Sequence, residues 1–250
     1  MEGLPKAPQR PPDHIIHGMQ EPYPTKNKCV HTVAIDGWRP DICAITIPNL
    51  QRYAKRIGAD FHVIEKAKFA KDGYPPNYER LQTFWDGAGY MWNLVIDADF
   101  ILHPDFEDPT LRLSTREMAS LYYVQASHYF QWNRFFERDG RDLGIADSFV
   151  VSNWATHDVW TPLDVPFEEA RKECKKDPRQ VSEFCLSLNV AKFGLKHNGV
   201  TKDIPKHYSL MSTTNKPPDC CRLLLDKLVE WKDWEFLEAI GKGDLIPKEA

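Results

Sequence analysis

Apolar positions along the chain alternate between the spacing of a strand and that of a helix. Residues 31–35 form a short β-prone run closed by the turn pair Asp36-Gly37. Ile42, Ile45, Leu50, Tyr53, Ala54 and Ile57 then recur at helical spacing, and Gly58 follows as a stop. Pro48 lies inside that pattern, so the predicted helix begins near it or kinks there. Residues 61–65 read as the next strand, which makes a β-α-β unit with a right-handed crossover. Beyond the loop Gly73-Tyr74-Pro75-Pro76, the spacing predicts a helix over 78–90 that ends around Gly87 and Gly89. Residues 94–97 are apolar up to a terminal aspartate, as befits a strand covered on both faces. Further strands are expected at 121–125 and 148–152, a helix at 181–193 ended by Gly194, and an amphipathic helix over 223–240 carrying Trp231 and Trp234. Strands alternating with helices place the chain in the α/β class.

Composition narrows the field only a little. The 250 residues suffice for one large α/β domain, and 42% hydrophobic with 27% charged content is ordinary for a globular protein. A net charge of −4 gives no general attraction to polyanions. Arg171, Lys172, Lys175, Lys176 and Arg179 form the densest basic stretch, which reads as a solvated helix face. No run approaches the roughly 18–20 apolar residues of a membrane span. Residues 1–27 read as a Pro-rich arm without the apolar centre of a secretory signal. The six cysteines form no Cys-x-x-Cys pair, so free thiols in a cytoplasmic setting are expected.

Chemistry concentrates at Asp97-Ala98-Asp99, where the third strand ends. Open α/β sheets bind ligands at the carboxyl edge of their strands. Two carboxylates there offer hard oxygen ligands, which suit Mn²⁺ or Mg²⁺ bridged to a phosphate. A solvated strand-end turn is the plainer meaning of such a pair.

Tyr78-Glu79-Arg80-Leu81-Gln82, followed by Asn93-Leu94-Val95-Ile96-Asp97-Ala98-Asp99-Phe100-Ile101, resembles nucleotide-sugar glycosyltransferases of the GT-A fold. The glycogenin and lipopolysaccharide galactosyltransferase type, with its small bacterial and viral relatives, is the nearest in pattern. The runs Ile45-Thr46-Ile47-Pro48 and Tyr53-Ala54-Lys55-Arg56-Ile57-Gly58-Ala59-Asp60 add to it, and the similarity spans roughly residues 31–217. It implies a single Rossmann-like GT-A domain over 28–218, with a mostly parallel sheet flanked by helices, and a C-terminal amphipathic helix over 219–250 packed on it. The implied activity is metal-dependent transfer of a sugar from a nucleotide donor, a UDP-sugar foremost, to a hydroxyl acceptor.

By that resemblance Asp97 and Asp99 hold the metal, and Ala34, Ile35 and Asp36 lie against the nucleoside. Arg80 and Lys216 contact the diphosphate, and Ala98 lies against the donor. His207 is a candidate third metal ligand, with His197 competing. Two positions depart from the family pattern: Asp147 stands where an amide is usual, and Ser182-Glu183 replaces an acidic pair at a helix start. Asp147 and Glu183 are therefore the candidate catalytic carboxylates, although Ser182 could simply cap its helix. Arg80 could equally be a solvated residue, and Asp36 an ordinary Asp-Gly turn. Tyr129 and Trp132 form a candidate acceptor platform within an aromatic cluster that could also be core. A saccharide acceptor is expected ahead of a modified DNA base. The competing classes are a metal-dependent phosphohydrolase or nuclease, and a non-catalytic sugar-binding module of the same fold.

Overall fold

The computed structural model describes residues 24–120, 123–125, 143–174, 177–199, 207–210 and 217–248. Its centre is a six-stranded sheet. In chain order its strands are β1 (Lys26–Val33), β2 (Asp60–Ile64), β3 (Tyr90–Ile96), β5 (Glu117–Ser120), β8 (Phe149–Asn153) and β9 (Lys196–Gly199). Across the sheet the order is β2-β1-β3-β8-β5-β9. β8 alone runs against the others, pairing antiparallel with β3 and β5, while the remaining pairings are parallel. Two small antiparallel pairs complete the strands: β4 (Phe100–Leu102) with β10 (His207–Ser209), and β6 (Tyr123–Gln125) with β7 (Leu143–Ile145). The mostly parallel α/β architecture expected from the sequence is therefore observed.

The period-2 placement of apolar residues explains the layers. Trp92, Leu94 and Ile96 of β3, with Phe149 and Val151 of β8, pack on Leu50, Tyr53 and Ala54 of helix α1 (Pro40–Arg56). Val95 and Val150 point to the opposite face, where they meet Val181, Cys185, Leu186 and Val190 of helix α4 (Val181–Phe193). Both sheet faces are covered, so β3 is apolar apart from the buried Asn93. On the outer side of α1, Ile42 and Ile45 pack with Leu224 and Leu228 of α5 (Pro217–Glu230) and Phe236 and Leu237 of α6 (Trp234–Ala239). Arg52 forks onto the buried Asp233 carboxylate, at 2.7 Å through one nitrogen, and lies over the Phe236 ring. Among the described residues no helix is long and apolar enough to cross a membrane.

Several expected boundaries move. α1 begins at Pro40, not near Pro48, and carries Pro48 in its interior. Burial of Ile42 and Ile45 on one side of that proline and Leu50 and Tyr53 on the other offsets the hydrogen bond it removes. The helix expected at 78–90 is instead a 3-10 turn, Pro76–Gln82, leading into a single helical turn α2 (Thr83–Asp86), and β3 already starts at Tyr90. The terminal helix is broken between α5 and α6, where Lys232 adopts a left-handed φ of 57° and the Asp233 carboxylate takes the Arg52 fork. The strand expected at 121–125 survives as the short β6, outside the central sheet. Helix α3 (Phe167–Ala170) had no counterpart in the sequence pattern.

One polar element is buried beneath the sheet. His31 on β1 is fully enclosed and shares a 2.9 Å hydrogen bond through Nε2 with Asn93 Oδ1; Asn93 Nδ2 donates to the Gly87 carbonyl at 3.0 Å. A Cβ at Gly87 would meet Asn93 Oδ1 at 2.5 Å and the Thr83 carbonyl at 2.7 Å, so no larger residue fits without displacing Asn93. Gly87→Ala should destabilise the fold by about 1–3 kcal/mol, read as a lower midpoint in urea.

Burial lowers the His31 pKa from 6.5 to about 4, against the Asn93 hydrogen bond. The unfolded chain thus binds a proton that the folded chain refuses. His31 accordingly contributes full stability above pH 6.5, on the order of 3 kcal/mol, and loses it as pH falls toward 4. Denaturation series from pH 7 to 4 should show a shallower loss of stability in His31→Gln than in the wild type.

Candidate functional site

β1 and β3 run parallel with His31 opposite Val95, which brings their carboxyl ends level. β8 runs the other way, so its start reaches the same edge: Phe149 pairs with Ile96, and Asp97 N–H donates to the Ser148 carbonyl at 2.9 Å. One edge therefore gathers the turn after β1 (Ala34, Ile35 and Asp36), the turn after β3 (Asp97, Ala98 and Asp99) and Asp147 before β8. Ala34 N–H donates to the Ile64 carbonyl and Asp36 N–H to the Glu65 carbonyl, so the first turn is tied to β2. Asp36 is exposed and left-handed, at φ 51°.

The Asp97–Asp99 turn is tethered from behind. Asp97 carbonyl accepts from Phe100 N–H at 3.2 Å, and Ala98 carbonyl from Thr46 Oγ1 on α1 at 2.6 Å. Asn49 on α1 makes a reciprocal amide pair with Leu102, at 2.7 and 3.1 Å. Asp99 carbonyl accepts from Leu210 N–H at 3.4 Å. Asp99 Oδ1 is buried and has no hydrogen-bond partner.

Arg80 sits inside the protein, 2% exposed, with each guanidinium nitrogen engaged. Nε donates to the Asn77 carbonyl at 2.7 Å and Nη2 to Asp97 Oδ1 at 2.8 Å. Nη1 donates to the Asp147 carbonyl and lies 3.3 Å from Asp147 Oδ1. Ser182 donates its hydroxyl to Asp147 Oδ2, and Asn77 Nδ2 donates to Ser182 Oγ at 3.0 Å. Arg80, Asn77, Ser182 and Asp147 thus close a ring, with Asp97 hung on it. Ser182 does not cap α4: the cap position is Gln180, which makes no side-chain cap bond.

Among the described residues the site holds an excess of carboxylates around one cation, Arg80. Burial pushes Asp97 well up, reinforced by Asp147 and Asp99 and opposed by Arg80. Burial likewise raises Asp99 to about 6, against its own backbone hydrogen bond and Arg80. Glu183, in the first turn of α4, is pushed up to about 9, first by burial and then by Asp147 and Asp97, with Arg80 pulling down. Glu183 thus holds its proton more tightly than a free carboxyl does, which favours a hydrogen-bond donor over a base.

The other candidates are placed less centrally. His207, on β10, pairs with Leu102 and stacks on Phe100 at 5.8 Å. His197, on β9, shares a 3.0 Å contact with Ser120 Oγ. Among the described residues no group of three or more His, Cys, Asp or Glu side chains is arranged to hold a metal ion. Tyr129, Trp132 and Lys216 lie outside the described residues.

Sequence patterns missed Glu79. Its carboxylate is fully buried and accepts from the backbone N–H groups of Lys68, Phe69 and Ala70 at 2.8, 2.8 and 3.2 Å, and from Gln82 Nε2 at 2.8 Å. It anchors the loop after β2. Glu79 and Gln82 at i, i+3 were the one available signal.

No protein-family model and no curated protein matches the chain. Among solved structures it is similar to a glycosyltransferase involved in the glycosylation of the major capsid of PBCV-1, at 9% identity and TM-score 0.48 over 80% of this chain and 99% of that one. It is also similar to the galactosyltransferase LgtC in complex with donor and acceptor sugar analogs, at 12% identity and TM-score 0.43 over 68% and 72% of the two chains. A Drosophila β1,4-galactosyltransferase 7 in complex with manganese, UDP-Gal and xylobiose is similar at 12% identity and TM-score 0.40, over 78% and 79%. All three are glycosyltransferases, the class the sequence resemblance indicated. Likeness of this depth identifies no activity.

Removing the Glu79 anchor should be costly, because three backbone donors, that of Phe69 buried, lose their shared carboxylate. Glu79→Ala is expected to lose on the order of 3 kcal/mol. Hydrogen exchange should speed up at the Lys68, Phe69 and Ala70 amides ahead of the central strands.

Proposed function

We propose that the chain is a metal-dependent glycosyltransferase that moves a sugar from a nucleotide-sugar donor, a UDP-sugar foremost, to a hydroxyl acceptor, a saccharide ahead of a modified DNA base. The observation that carries the reading is the convergence, on one sheet edge, of the turn after β1, the Asp97–Asp99 turn, Asp147 and the acidic start of α4. Carboxylates brought together in this way are expensive unless a cation compensates them.

Asp97 and Asp99 are the residues that would hold Mn²⁺ or Mg²⁺. The buried, unpartnered Asp99 Oδ1 fits a hard cation, and one or two carboxylates plus substrate phosphates commonly suffice for such ions. When bound, the ion supplies charge neutralisation for the departing diphosphate. Ala34, Ile35 and Asp36, level with the aspartates at the end of β1, would meet the nucleoside. In the transfer, the bond from the anomeric carbon to the diphosphate oxygen breaks, a bond from that carbon to the acceptor oxygen forms, and the acceptor hydroxyl gives up its proton. Glu183, whose carboxyl proton is held by burial and by the neighbouring aspartates, would be suited to donating a hydrogen bond to an oxygen of donor or acceptor. Asp147, held by Ser182 and Arg80, serves to fix the site's geometry.

Calorimetry with UDP should show binding that depends on Mn²⁺. Incubation with UDP-sugars lacking acceptor should release free sugar, and Asp99→Asn should cut that release on the order of 100-fold while leaving the melting temperature near wild type. Nucleotide binding that ignores Mn²⁺, or full turnover in Asp99→Asn, would falsify the assignment.

A further inference from the structure

The resemblance implied that Arg80 contacts donor phosphates, whereas the hydrogen bonds its guanidinium makes in the structure go to protein oxygens. A phosphate contact needs guanidinium N–H groups that face the ligand. Here Nε, Nη1 and Nη2 each donate to a protein oxygen, and the residue is 2% exposed. The ring through Asn77, Ser182 and Asp147 holds the guanidinium in that position. What Arg80 does touch is Asp97, the first carboxylate of the turn.

A guanidinium 2.8 Å from Asp97 Oδ1 is already the counter-ion of that carboxylate. A divalent cation on the same carboxylate would place two like charges within a few ångströms, in a buried setting where repulsion is poorly screened. A nucleoside diphosphate adds two or more negative charges and offsets that repulsion. We propose that Arg80 is the resident counter-ion of Asp97, a positioning residue that restrains divalent-cation binding until a diphosphate arrives, so that cation and nucleotide bind cooperatively. This inference rests on the metal-and-donor reading above.

The test is a Mn²⁺ titration, followed by the electron-spin signal of the free ion, with and without UDP. Wild type should bind Mn²⁺ weakly alone and markedly more tightly with UDP, each ligand strengthening the other equally. Arg80→Gln, which keeps donors but removes the charge, should bind Mn²⁺ alone on the order of 10-fold more tightly and lose most of the gain from UDP. Arg80→Lys, which keeps the charge but not the fork, should bind Mn²⁺ alone more like the wild type than Arg80→Gln does. If Arg80→Gln is unstable, Mn²⁺ should raise its melting temperature more than it raises that of the wild type. Unchanged Mn²⁺ affinity in Arg80→Gln, with weaker UDP binding at saturating Mn²⁺, would show a phosphate contact and overturn the proposal. Equal tightening in Arg80→Lys would overturn it too, since charge would not be the cause. Absence of Mn²⁺ binding in every protein, with or without UDP, would remove the metal reading itself and this inference with it.

Discussion

The buried guanidinium of Arg80 is the constraint on which the site depends. Three carboxyl groups from distant parts of the chain (Asp97, Asp147 and Glu183) crowd an interior sheet edge, and Arg80 is the cation named among them. An ion in such a place gains little net stability over an apolar residue, but removing it strands its partners. What it contributes is placement: the fork ties the end of β3 to the start of β8 through two different carboxylates. Lysine, with one ammonium group, could not present that planar fork.

The reversed direction of β8 makes this tie possible. Had β8 run parallel to β3, its first residue would lie at the opposite edge, and Asp147 would be a sheet's length from Asp97. The antiparallel register sets Phe149 against Ile96 and brings Ser148 within 2.9 Å of the Asp97 amide. α4 then packs over the Val95 face, and its first turn delivers Ser182 and Glu183 to the same edge.

Much of this was legible in the chain, for reasons that differ by element. α4 reads clearly because its apolar stripe ends in Gly194, whose left-handed φ of 61° closes the helix. The end of β3 reads clearly because a doubly buried strand is apolar until its carboxylates. The 78–90 stretch misled because Tyr78, Glu79, Arg80 and Leu81 are all buried, and a segment enclosed on every side has no solvent face to set a helical period. Pro75-Pro76 and the loop bonds to Glu79 shape it instead. Arg80 stayed open between a diphosphate contact and a solvated residue for the same reason: one residue type serves a surface or a buried fork, and only tertiary partners decide. The break before α6 was hidden because Asp233 meets Arg52, 181 positions away.

The tethers behind the Asp97–Asp99 turn carry a further consequence. With the carbonyls of Asp97, Ala98 and Asp99 each committed, two of them to Thr46 on α1 and to Leu210 just after β10, the backbone there has already surrendered its freedom during folding. A ligand arriving at this turn meets a finished surface and owes no ordering entropy to it, so selectivity at that point is a matter of rigid fit. Whatever adapts to different partners must be sought on the other rims of the cleft.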